Sequence, residues 1–119
     1  MERVQFIHHR GAEILFLDFS RCSIEEASVL IEAAAAVIQS RPLQSLLTLT
    51  DVTDIRFDPQ LSQRMKEFTA HNRPYVRAAA VLGVTGLKKI LFEAVMIFSG
   101  RKLHTFATSE EAKSWLAEQ

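Results

Sequence analysis

The sequence holds a single cysteine, Cys22, in 119 residues. No disulfide can form within the chain, and a reducing compartment fits best. Cys22 reads as a small buried hydrophobe ahead of a helix, with Arg21 a weak activating neighbour for a thiolate. No apolar segment reaches the ~18 residues of a membrane span. Residues 1–10 include Glu2, His8, His9 and Arg10 where a secretory leader would have a basic start and an apolar run, so a cytoplasmic protein is expected. Low-complexity tracts, linkers and repeats of solenoid period are missing, which leaves one domain over residues 1–119. Net charge is zero, and nucleic acid is not suggested as a partner. His-x-x-x-His, Cys-x-x-Cys and Gly-x-Ser-x-Gly are all missing, so neither a metal nor a cofactor is expected and no catalytic residue is assigned.

What is present is an ordinary globular balance, 48% hydrophobic and 24% charged, which argues against disorder. The charge is uneven. Residues 1–55 carry four basic and eight acidic groups, and residues 56–119 carry ten and six. The split reads first as chance, and second as a dipolar surface suited to self-association or a charged partner.

Apolar runs at Val4 to Ile7 and Glu13 to Phe19, joined through Gly11, read as a β-hairpin. Ser23-Ile24-Glu25-Glu26 is a capping box that opens a helix to about Ser40. Leu46, Leu47, Leu49 and Val52 mark a strand buried on both faces. Asp58-Pro59 starts a second helix, with Asp at the N-cap and a narrow stripe of Leu61, Met65 and Phe68. Tyr75 to Gly83 is a fourth strand. Thr85 is placed as the cap of a third helix that runs to Ser99 and stops at Gly100. Leu103 to Phe106 is a fifth strand, and Thr108 to Glu111 is a second capping box that opens a last helix with Ala112, Trp115 and Leu116 inward. The order ββαβαβαβα predicts an α/β fold with a mixed, mostly parallel sheet of about five strands and four helices.

Ligands of such sheets sit beyond the carboxyl ends of the parallel strands. Asp18, Asp51, Asp54 and Gly83 to Gly86 are expected there. Asp51 and Asp54 read first as loop residues bonding their own backbone, and second as the paired acids of a small enzyme or as Mg²⁺ ligands. The Gly83 to Lys89 segment reads first as a structural turn. Its alternative is an anion site built from helix-start amides with Lys88 and Lys89. On 100° spacing the third helix puts Leu87, Ile90, Leu91, Ala94, Val95, Ile97 and Phe98 on the core side. Phe92 and Met96 then fall outward between Lys88, Lys89 and Glu93, and read equally as a contact patch and two-fold dimer interface or as another packed core layer.

Across most of its length, and most closely in Arg73 to Gly83, Arg101 to Phe106 and Glu111-Ala112-Lys113-Ser114-Trp115-Leu116, the chain resembles the STAS domain in its SpoIIAA-like branch. The resemblance implies a non-enzymatic protein–protein interaction or regulatory module. Where the family's antagonists carry an Asp-Ser-Ser-Gly-like phosphorylation motif, this sequence reads Arg56-Phe57-Asp58-Pro59-Gln60-Leu61-Ser62. That serine motif is missing, and no phospho-switch is expected at Ser62. The branch is also similar to single-domain SEC14-like carriers, which implies an apolar or amphiphilic small ligand as the second reading. The residues carried forward are Phe92, Met96, Lys88, Lys89, Asp58 and Thr85. An apolar cavity under the third helix would favour the carrier, and a closed core with an apolar surface patch would favour the interaction module.

Overall fold

The computed structural model describes residues 2–119. Strands β1 (Val4–His9) and β2 (Ala12–Asp18) form the expected antiparallel hairpin. Its two-residue turn places Arg10 at φ 51° and Gly11 at φ 80°, the paired positive angles that match the twist of a tight hairpin. β3 (Leu46–Asp51), β4 (Val76–Leu82) and β5 (His104–Phe106) then add in parallel, and the sheet order is β1-β2-β3-β4-β5. Helices α1 (Ile24–Gln39), α2 (Pro59–Asn72), α3 (Lys88–Ser99) and α4 (Ser109–Ala117) complete the predicted ββαβαβαβα order.

The sheet order dictates the layering. Each parallel strand is laid on the same growing edge, and right-handed crossovers then place every connecting helix on one face. α1, α2 and α3 share that face. α4 follows the last strand, is bound by no crossover, and covers the opposite face. Alternation along the strands feeds both cores. In β2, Leu15 and Leu17 point to the three-helix side, while Ile14 and Phe16 meet α4. β3 is buried on both sides through Leu46, Leu47, Thr48 and Leu49, as its apolar run predicts. On the α4 side, Trp115 packs 4.4 Å from the His104 ring and 5.4 Å from Phe106, between ring centroids.

The helix starts follow their local chemistry. At α1 the Ser23 hydroxyl accepts from the Glu26 N–H, and Glu26 accepts from the Ser23 N–H. At α2 the Asp58 carboxylate accepts from the Leu61 N–H at 2.7 Å, with Pro59 at the first position. At α4 Thr108 accepts from the Glu111 N–H, but Glu111 is bound by the Thr108 hydroxyl and not by its N–H, so only half of the expected box forms.

α3 departs from expectation at its start. Its N-cap position is Leu87, which has no capping side chain, so Thr85 is not the cap. Instead the N–H groups of Lys88, Lys89 and Ile90 donate to the carbonyls of Thr85, Gly86 and Leu87, three residues back, a 3₁₀-type opening. The helix ends as expected at Gly100 in the left-handed conformation. Gly83 is held by close approach: a Cβ there would overlap the side chain and backbone of Thr53.

Candidate functional site

α3 packs chiefly on α2 and meets no strand as extensively as it meets that helix. The strands beneath it explain why. β3 presents Thr48 and Thr50 upward, and β4 presents Ala79 and Val81. This floor is too low to reach α3. The result is a cavity of about 90 Å³ between α3 and the sheet. α2 walls it with Met65 and Phe68, and α3 roofs it with Leu91, Phe92 and Val95. Leu17, Val52, Phe57, Val84 and Leu103 close the remaining sides.

Two cations line this mostly apolar space. Lys88, the first residue of α3, turns inward, and its Nζ donates to the Val52 carbonyl at 3.0 Å. Arg101, just past the other end, donates from Nη1 to the Thr69 carbonyl at 3.3 Å. Burial pushes the Arg101 pKa down to about 10, since desolvation disfavours the charged form. Among the described residues neither cation forms an ion pair.

Of the two readings of Phe92 and Met96, the packed layer fits the structure better than the outward patch. Phe92 packs against the main core and roofs the cavity, and Met96 is half-buried. The exposed apolar residues of this segment are Leu87, Ile90, Ile97 and Phe98, four that the wheel assigns to the core. α3 is apolar on nearly all sides, and its charges are Lys88 and Lys89 at its start and Glu93 near its middle. The direction of its core face is therefore set by contact with α2. Lys88, assigned to the polar side, reaches the interior because a long apolar stem carries its ammonium group.

Of the two lysines of the Gly83 to Lys89 anion site, Lys88 turns inward to the Val52 carbonyl while Lys89 is exposed, as is Thr85. The helix-start amides it would need are already occupied by local carbonyls. Asp58 sits at the start of α2, engaged as a cap. Asp51 accepts from the N–H and hydroxyl of Thr53, at 2.9 and 2.6 Å, and so holds its own loop. Asp18 does the same for Ser20 and lies 3.9 Å from Arg3. Asp54 adopts φ 53° in the neighbouring turn. No group of three or more His, Cys, Asp or Glu side chains gathers among the described residues. His8 is exposed beside Glu13. His9 Nε2 is buried without a hydrogen-bond partner among the described residues. Cys22 is fully buried, and its thiol pKa is raised by that burial.

Residue-by-residue reading missed Arg101. Its signal is indirect: Thr48 and Thr50 fall on one face of an otherwise leucine-rich strand, polar residues at positions where a filled core would carry large apolar ones.

Comparison with family models, with curated proteins and with solved structures found no match. Among the described residues no helix is long and apolar enough to cross a membrane.

Proposed function

We propose that this chain is a non-enzymatic, cytoplasmic binding protein for a small apolar or amphiphilic molecule, taken up beneath α3 in a fold of the STAS, SpoIIAA-like type. The observation that carries the reading is the cavity under α3, walled mainly by aliphatic and aromatic groups. Ligand sites are commonly concave and apolar with a few placed polar groups. At about 30 Å³ of liquid volume per water, a space of about 90 Å³ takes only a few small groups, so the fitting occupant is a short molecule or one end of a longer one. Native mass spectrometry of protein purified from its own host tests this. The expected result is a small-molecule increment that disappears on denaturation. A bare mass, with no shift of cavity-lining NMR resonances by medium-chain alcohols or acids, would overturn it.

A second reading, an interaction module, is favoured by one observation: Leu87, Ile90, Ile97 and Phe98 form an exposed apolar stripe along α3. Self-association or a protein partner would use that stripe and not Phe92. Ile90→Glu with Ile97→Glu should shift sedimentation toward monomer while the fold survives. Wild-type protein that stays monomeric at high concentration, and loses no partner on substitution, removes this reading.

A further inference from the structure

We infer that the molecule taken up beneath α3 carries an oxyanion headgroup, a carboxylate or phosphate monoester, held by Arg101, with its apolar body along Leu91, Phe92 and Val95. This rests on the carrier reading above and narrows it to a chemical class.

Charged side chains are seldom buried unless paired. Arg101 is part-buried, lines an apolar cavity and has no ion pair among the described residues. A guanidinium offers five N–H donors. The structure engages one of them, in a long bond to the Thr69 carbonyl. Other donors stand nearby. Asn72, 4% exposed, also lines the cavity, and its Oδ1 is taken up by His71 Nδ1, leaving the NH₂ to donate. The Arg73 guanidinium lies against Gly100, where a Cβ would come within 3.0 Å of Nη1, and it too forms no ion pair among the described residues. The cavity lining near Arg101 therefore offers donors from Arg101 and Asn72 and no Asp or Glu, with Arg73 exposed outside it. The opposite end differs: the Lys88 ammonium is already bound to the Val52 carbonyl. The two cations are separated by roughly 17 Å of helix, so one small headgroup reaches only one of them. The planar fork of an arginine matches the two oxygens of a carboxylate or phosphate, which favours Arg101 over the point charge of a lysine.

Calorimetric titration of sodium octanoate, octyl phosphate, 1-octanol and octylammonium into wild type, Arg101→Gln, Arg101→Lys and Lys88→Gln tests the assignment. Thermal melts should first show that each variant folds. At least one of the two anions should bind wild type about tenfold or more tightly than octanol, as expected for a charge-assisted contact, and the stronger of them names the headgroup. Arg101→Gln should erase that preference and leave octanol within about twofold. Arg101→Lys should restore part of it, and Lys88→Gln should leave it intact. Equal binding of octanol and both anions, unchanged by Arg101→Gln, would overturn the headgroup inference while the carrier reading stands. Loss of the preference in Lys88→Gln alone would overturn the assignment to Arg101. No binding of any of the four compounds would sink both readings.

Discussion

α1 and α3 lie on the same face of one sheet and are both rich in apolar residues, yet only α1 is sealed. α1 buries Ala27, Leu30, Ile31, Ala34 and Ile38 and starts from a complete capping box. α3 buries only Val95 and Ser99, starts without a capping side chain, and leaves Ile90 70% and Ile97 83% exposed. The difference lies in what each helix crosses. α1 joins β2 and β3, strands of seven and six residues whose upward side chains include Leu15, Leu17 and Leu46. α3 joins β4 to a three-residue edge strand across a floor of Thr48, Thr50, Ala79 and Val81. An amphipathic helix closes a core only where the sheet beneath it is broad and bulky. Where the sheet tapers, the unfilled volume becomes a candidate site.

The largest expected effect separates the two helices directly. Leu30→Ala, at a fully buried position of α1, should cost about 2–5 kcal/mol. Leu91→Ala, the same change in half-buried α3 beside an existing cavity, should cost less than about 2 kcal/mol, because less contact is lost. Urea unfolding of the two variants measures this, and equal losses would erase the contrast. Next is the cap of α2, the helix against which α3 rests. Asp58→Ala should cost about 0.5–2 kcal/mol, and an unchanged denaturation midpoint would remove the capping role.

The smallest effect sharpens the comparison at the helix starts. The Glu26 carboxyl is held below its usual range, first by the Ser23 N–H and then by the Ser23 hydroxyl. A carboxyl whose folded pKa is depressed adds stability above its unfolded pKa and loses it as pH falls through the folded value. The stability advantage of wild type over Glu26→Gln should therefore shrink from about pH 6 to about pH 3. No matching dependence should arise at α3, whose first turn carries no acid. An advantage that grows toward low pH would contradict the reciprocal cap.

Much of this fold is legible in the sequence because its signals are local. Ser23, Asp58, Gly11 and Gly100 act on groups within a few residues, and the elements they bound lie within a residue or two of their expected places. The face of α3 is not legible in that way. A helix with apolar residues nearly all round has no preferred side until a neighbour chooses one, and that neighbour, α2, is remote in sequence. The candidate site shares this difficulty. Thr48, Ala79, Lys88 and Arg101 come from two strands, a helix start and a loop, and no spacing rule links them. The bland readings of Asp51 and of the Gly83 turn describe what the loops do, because those readings too are local.

α3 is thus a weakly held roof over the cavity, while α1 is a sealed part of the core. Amide hydrogen exchange followed by mass spectrometry, with and without saturating octanoate, tests it most directly, since exchange reports local opening. α3 peptides should exchange faster than α1 peptides in the free protein, and octanoate should slow α3 and leave α1 nearly unchanged. Equal protection of the two helices in the free protein, with no response of α3 to the ligand, would contradict it.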